Sequence, residues 1–319
     1  MRKRIRLREV DQNAQPPAAR PDRRRRPFPS ENTIKTPLVE AVDGRPPELP
    51  CVCQGWVVSP EGAAAPDDGS FQRLVGEAHE APFEGWDFSS FGDRYQVESP
   101  SWDYRRLAES QLRLLGPGAA VLDMGTGGGE LLRTLDGLPR DTHATEGYPP
   151  NVLVARMALQ PHAIEVDEVT NDAHLPYPDQ RFDLILNRHE SFDAFEVVRV
   201  LRPGGVFLSQ QVGGRDLAEL NQQLAAPPHT YTDWTLEAAT RQVTAAGLRV
   251  LDSGEELLEA TFRDVGAIVG LLLITPWVVP GFTVDAYRPQ LQRLHEHLHR
   301  GPLTVHAHRF YLLAQRPLS

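Results

Sequence analysis

The stretch Val121-Leu-Asp-Met-Gly-Thr-Gly-Gly-Gly-Glu130 decides how the rest of this 319-residue chain is read. Its apolar start reads as a short strand ending near Asp123, and Gly125, Gly127, Gly128 and Gly129 follow as a loop. Glycine allows sharp turns and close approach of backbone to a ligand. A helix is expected from Glu130 (GELLRTL), whose first N–H groups favour a negative or polar ligand group. A dinucleotide fingerprint would be G-x-G-x-x-G. Counted from Gly125, that pattern needs glycine at position 130, where Glu130 would instead face a pyrophosphate. No Lys-Ser/Thr follows the glycines, so the Walker pattern fails as well.

Outward from the loop, strands and helices alternate. THATEG reads as a strand, PPNVLVARMAL as a helix with proline at its start, and AIEVDEV and FDLILNRH as strands. FDAFEVVRVL is a helix, GGVFLSQQV a strand, DWTLEAATRQVTAAGLRVL a helix and strand, and LTVHAHRFYLLAQR the last strand. Upstream, SWDYRRLAESQLRLL is a helix with apolar Leu107, Leu112, Leu114 and Leu115. Such alternation implies right-handed crossovers and a parallel sheet covered on both faces. The expected fold is α/β, a doubly wound, mostly parallel, seven-stranded sheet.

Glu146 ends the second strand, 21 residues after Gly125, where a carboxylate can accept bonds from ribose hydroxyls. NDAHLPYPDQRFDLIL adds an acidic residue after the third strand, and LRPGGVFLSQQ a Gly-Gly turn into the fifth. In order and spacing, residues 100–316 resemble the class I S-adenosylmethionine-dependent methyltransferases, of the small single-domain type with a VLDxGxGxG loop. The resemblance implies a Rossmann-like fold and S-adenosylmethionine as cofactor. It implies that Asp123, Gly125, Gly127 and Gly129, with Met124 and Thr126 between them, surround the amino-acid part of the cofactor. Glu146 would bind ribose, with Gly147 and Tyr148 beside the adenine. Asp172 and the backbone of Ala173 would address the adenine amino group, and Asn187, Arg188 and His189 would line the mouth where the methyl emerges.

The mouth sequence is NRHE, not Asn/Asp-Pro-Pro-aromatic, which argues against methylation of exocyclic or amide nitrogen. Cytosine-carbon chemistry would need a cysteine downstream of the loop, and Cys51 and Cys53 both lie upstream. His189 is the only base-like residue expected at the mouth. With an ordinary pKa near 6.5 it could take a proton, or it could only shape the pocket. Gln210 and Gln211 alternate across the fifth strand, and Gln211 is taken as the one facing the pocket. Trp102 and Tyr104 are expected on one wall. The other wall is expected from an insertion over 260–300, with Trp277 and Phe282 inside it.

Charge and composition bound the alternatives. Residues 1–70 hold 11 of the 28 prolines and are expected to be a largely disordered arm, with the methyltransferase domain over 71–319. Residues 1–26 carry a net charge of +7, leaving −17 on the rest of a chain whose total is −10. The arm could meet RNA, and ITPW (274–277) resembles a motif in bacterial ribosomal guanine methyltransferases. Those enzymes carry a four-ligand zinc module that two cysteines cannot form. The acidic body favours a small-molecule acceptor over RNA. A non-catalytic cofactor-binding protein is the alternative of another class, and a dehydrogenase is disfavoured by Glu130. His295, His297, His299, His306 and His308 cluster late, but no carboxylate set accompanies them, so no metal is expected. No charged-then-apolar leader opens the chain, and the apolar run before Thr275 is about half the roughly 20 residues of a membrane span. The expectation is a cytoplasmic protein without membrane contact, monomer and homodimer being equally compatible.

Overall fold

The computed structural model describes residues 68–81 and 88–318. The chain divides into Met1–Gly62 and Ala63–Ser319, and every described residue belongs to the second unit. The expected arm thus lies outside the described residues up to 67. Its boundary at 70 needs correction, because helix α1 already runs from Asp68 to Glu80. Ser70 Oγ lies 2.8 Å from His295 Nε2, and Phe71 is fully buried.

Eight strands form one sheet among the described residues: β1 (Tyr95–Val97), β2 (Ala120–Met124), β3 (Asp141–Glu146), β4 (Glu165–Glu168), β5 (Phe182–Arg188), β6 (Leu201–Val212), β7 (Arg249–Phe262) and β8 (Leu303–Gln315). Their spatial order is β1-β7-β8-β6-β5-β2-β3-β4. Strands β4, β3, β2, β5 and β6 are mutually parallel, while β8 runs antiparallel to both β6 and β7. The strand beyond the expected seven is β1, three residues antiparallel to β7. The chain lays β3 and β4 on one side of β2, then returns to place β5 on the other. That reversal puts the crevice at the carboxyl ends of β2 and β5, where Met124 pairs with Asn187.

The sheet is covered on both faces. On one face, α2 (Tyr104–Leu112) and α3 (Pro149–Leu159) bury Tyr104, Ala108, Leu112, Ala155 and Leu159 against β2, β3 and β5. On the other, α4 (Ala194–Val200) and α6 (Leu236–Ala245) bury Val197, Val200, Ala239 and Val243 against Ile185, Phe207 and Phe310. Leu114, expected on the buried side of its helix, is exposed, because α2 stops at Leu112.

β6 ends at Val212, opposite Arg309 of β8, which itself faces Glu256 of β7. Beyond that rung, Leu257–Phe262 and Leu303–His308 continue as a ribbon past the carboxyl end of β6. Alternate residues of the ribbon, Leu258, Ala260, Phe262, Val305 and Ala307, are buried under α1, α5 (Ala218–Leu224), α7 (Val265–Ile274) and α8 (Val284–Leu298). The apolar run of α7 is thus a core helix. No helix among the described residues is long and apolar enough to cross a membrane.

One element differs from its sequence reading. GELLRTL does not form a helix but a single 3-10 turn, Leu132–Thr134. Gly127 (φ 63°) and Gly129 (φ 80°) hold left-handed backbone up to Glu130, and Gly137 (φ 84°) turns the chain again before Pro139. Too few residues remain between these points for a stable helix.

Candidate functional site

The glycine loop leaves β2 with its N–H groups already used. Thr126 N donates to Thr145 O at 2.8 Å, Gly127 N to Glu146 Oε2 at 2.7 Å, and Gly128 N to Glu130 Oε2 at 2.9 Å. The expected N–H-lined cradle at a helix start is therefore absent, and with it the preference for a negative ligand group. What lines the crevice is carboxylate. Asp123 is buried at the end of β2, and burial pushes its pKa up to about 7 against the hydrogen bond of the Thr126 hydroxyl and the charge of Arg188. Glu146 is buried at the end of β3, its two oxygens held by Gly127 N and Tyr148 N (2.8 Å). Burial raises its pKa too, opposed by those backbone bonds.

Glu190 completes this lining. A Cβ built on Gly125 (φ 65°) would lie 2.4 Å from Cβ and Cγ of Glu190, so glycine is required there and the Glu190 chain lies directly over the loop. Burial, then Asp172 and Glu146, raise the Glu190 pKa to about 7. Asp172 accepts a bond from the Ser191 hydroxyl and is likewise raised by burial. Ala173 N donates to Asn171 Oδ1 at 3.0 Å, so that backbone group is not free for an adenine. Gly147 cannot carry a side chain, since its Cβ would fall 2.7 Å from Val169 O, and Tyr148 stands exposed beside it. The Thr126 hydroxyl is buried at the loop beside the Asp123 carboxyl.

β5 and β6 supply the mouth. Asn187 is fully buried; its Oδ1 accepts from Ser209 Oγ (2.8 Å) and Gln211 Nε2 (2.6 Å). Gln211 also reaches Glu190 O at 2.9 Å and accepts from Trp234 Nε1 at 3.3 Å. It is a buried tie among strand ends, on the sheet face that carries Phe310. The glutamine beside His189 is Gln210 instead, whose Nε2 lies 3.1 Å from His189 Nε2. The choice of Gln211 is corrected accordingly: on β6 it is the 210 position that shares a face with the histidine. Trp102 Nε1 donates to Gln210 Oε1 at 2.8 Å, and its ring lies 5.0 Å from that of Tyr311.

Tyr104 is not a pocket wall. Its buried hydroxyl donates to Asn187 O and accepts from Asn187 N, both at 3.1 Å, pinning the end of β5. Trp277 packs on the core of the ribbon, and its carbonyl accepts from Thr230 N at 2.9 Å. Phe282 lines a groove of about 290 Å³ between α1 and α8, with Val75, His79 and Arg288. The structure thus places Phe282 inside the helical layer rather than with the strand-end residues.

His189 has φ 63°, unusual outside glycine, and its N–H donates to Gln210 O at 2.7 Å. His189 as a whole residue is exposed. The protein crowding its ring, then Arg309 and Arg188, hold its pKa well below 6.5. The histidine expected to titrate near 6.5 is therefore held neutral. Arg188 is exposed and has no ion pair among the described residues. Arg309 is tied to Asp216 Oδ1 at 2.5 Å. Gln210 was named from sequence only as the alternative to Gln211, and Glu190, Ser191 and Arg309 were given no role there. Glu190 closes the NRHE motif and Ser191 directly follows it, which was the one available signal.

A doubly wound sheet with a carboxylate-lined, glycine-turned crevice at its reversal point defines the class. Residues 122–209 match a family described as a methyltransferase domain. That stretch is 88 of the 319 residues, and over it the chain is similar to that domain. A fatty-acid O-methyltransferase of Mycolicibacterium smegmatis is 46% identical over 69 residues, 19% of this chain and 25% of that protein. The match thus spans about a quarter of the relative's length. The YcgJ protein of Bacillus subtilis has a similar fold, with a TM-score of 0.50 and 17% identity over 67% of this chain and 98% of that one.

Proposed function

We propose that this protein is an S-adenosylmethionine-dependent methyltransferase acting on a small-molecule acceptor. The observation that carries the reading is the crevice lined by Asp123, Glu146, Asp172 and Glu190. Hydrogen-bond acceptors and negative charge suit a cofactor that presents ribose hydroxyls, an ammonium and a sulfonium. Asp123 to Gly129 would surround the amino-acid part. Each Glu146 oxygen has a lone pair beyond its backbone bond for a ribose hydroxyl. Gly147, Tyr148 and Asp172 would take the adenine end, and Asn187 would fix the strand end beside them. When bound, the cofactor supplies an electrophilic methyl group. The chain supplies position, which accounts for much of such a rate enhancement.

The Mycolicibacterium relative is a fatty-acid O-methyltransferase, which supports a small acceptor here. The net charge of −17 outside residues 1–26 speaks against a broad RNA surface. The test is calorimetry with S-adenosylmethionine, followed by labelled-methyl transfer into a metabolite extract and into total RNA. Cofactor binding with label in the organic fraction is expected. No cofactor binding, or label confined to RNA, overturns the proposal.

A further inference from the structure

The hydrogen bonds around Gln210 decide what His189 can do. An indole N–H only donates, so the oxygen of the Gln210 amide must face Trp102. The amide NH2 then faces His189 and can only donate, so Nε2 of the imidazole is an acceptor. A neutral ring with its lone pair on Nε2 carries its proton on Nδ1. His189 therefore offers the mouth an N–H, and its basic nitrogen is already occupied. Ring, amide and indole form a chain of fixed direction, running from the first turn before α2 through β6 to the end of β5.

Charge is divided across the same crevice. Asp123, Glu146, Asp172 and Glu190 lie on the side of the glycine loop. Arg188 makes no ion pair among the described residues and stands beside His189, within electrostatic reach of Asp123, while the charge of Arg309 is balanced by Asp216. An alcohol or phenol would need a base at the acceptor side, where the structure presents donors and a cation. A carboxylate needs none, being ionised at neutral pH. Its natural partners are a guanidinium and an N–H.

Resting on the methyltransferase reading above, we propose that the acceptor is a carboxylate, held by Arg188 and the Nδ1–H of His189, and that the product is its methyl ester. One carboxylate oxygen gives an electron pair to form the O–CH3 bond. The C–S bond of the sulfonium breaks, its pair returns to sulfur, and no proton is released. His189 is then a donor to the acceptor, oriented by Gln210 and Trp102 as positioning residues.

Three measurements on the full-length protein test this. Nitrogen-15 spectra of labelled histidine should show His189 as the neutral Nδ1–H tautomer, and an Nε2–H tautomer or an imidazolium at pH 7 overturns the assignment. Labelled-methyl transfer is then run against hexanoate, octanoate, palmitate and benzoate, with the matched alcohols and amines alongside. Label is expected on carboxylates only, released as methanol by mild alkali. Arg188→Gln should raise the KM for the carboxylate tenfold or more, with Arg188→Lys between it and wild type. A protein that binds the cofactor yet labels no carboxylate, or whose Arg188→Gln variant keeps its KM, refutes the inference and leaves the methyltransferase reading standing. Glu190→Gln is the control for a base on the loop side, and transfer to alcohols that this variant abolishes also refutes it. Failure to bind the cofactor removes both readings.

Discussion

His189 sits in left-handed backbone that costs a residue with a Cβ about 1–2 kcal/mol, and glycine almost nothing. His189→Gly should therefore melt above His189→Ala, although both lose the Gln210 bond and both should lose transfer. Equal melting temperatures would show that the loop relaxes and that the φ value is not imposed by the site. Asp123 carries a second residue-level prediction. Its ordinary value is 3.8 and its folded value about 7, so the folded protein binds the proton more tightly than the unfolded chain. Ionising Asp123 in the fold thus costs stability, a cost absent below about pH 4 and complete above about pH 7. Asp123→Asn should stabilise the ligand-free protein more at pH 8 than at pH 5 in thermal melts, while weakening cofactor binding. At Glu146, substitution by alanine removes acceptors for ribose and for two backbone N–H groups. Affinity should fall about tenfold or more, from a loss of about 1.5–3 kcal/mol. A folded Glu146→Ala variant with wild-type affinity in calorimetry would contradict the assignment.

At the scale of elements, local pattern and capping were readable where the chain makes its own ends. Pro149 and Pro150 open α3, and its bounds match the sequence reading. Asp193 and Thr235 cap α4 and α6 through their own side chains. The turn after the glycines was read as a helix, but left-handed Gly127, Gly129 and Gly137 leave too few residues for one, and Gly129 sits against Leu159 of a separate segment. Asp264 shows the same mixture of local and distant bonds. It caps α7 through Ala267 N at 2.9 Å and holds Arg94 by two bonds of 2.7 Å from across the ribbon. Asp264→Asn keeps the cap acceptor and loses the charge pair; Asp264→Ala loses both. The alanine variant should be less stable by about 1 kcal/mol more than the asparagine variant, measured by chemical denaturation.

At the scale of the molecule, the described residues form eight strands and three apolar cores. A chain beginning at Ala63 should keep the melting temperature and cofactor affinity of the full-length protein. A chain beginning at Ala81 should not, because it loses Phe71 and Val75 from the core under the ribbon. Large buried side chains are worth about 3–5 kcal/mol each for an aromatic, so the loss should be visible in a single melt. Equal stability of the two truncations would mean that α1 does not hold the helical layer together.

The sequence by itself determined the class of fold and the place of its crevice. Alternating apolar periods give strands and helices, chirality gives the crossovers, and glycines at the first strand end mark where the chain reverses. Asp123, Glu146 and Asp172 were readable because each stands at a strand end or just beyond it, a position that counting residues can locate. Tertiary structure alone decided the character of the mouth. Which of Gln210 and Gln211 meets His189 depends on the register of β6 between β5 and β8. The protonated nitrogen of His189 depends on Trp102, 87 positions earlier in the chain. Glu190 lies over Gly125 because β2 and β5 are neighbours in the sheet, not in sequence. A hydrogen bond has a direction and a burial has an environment, and both come into being when distant segments pack.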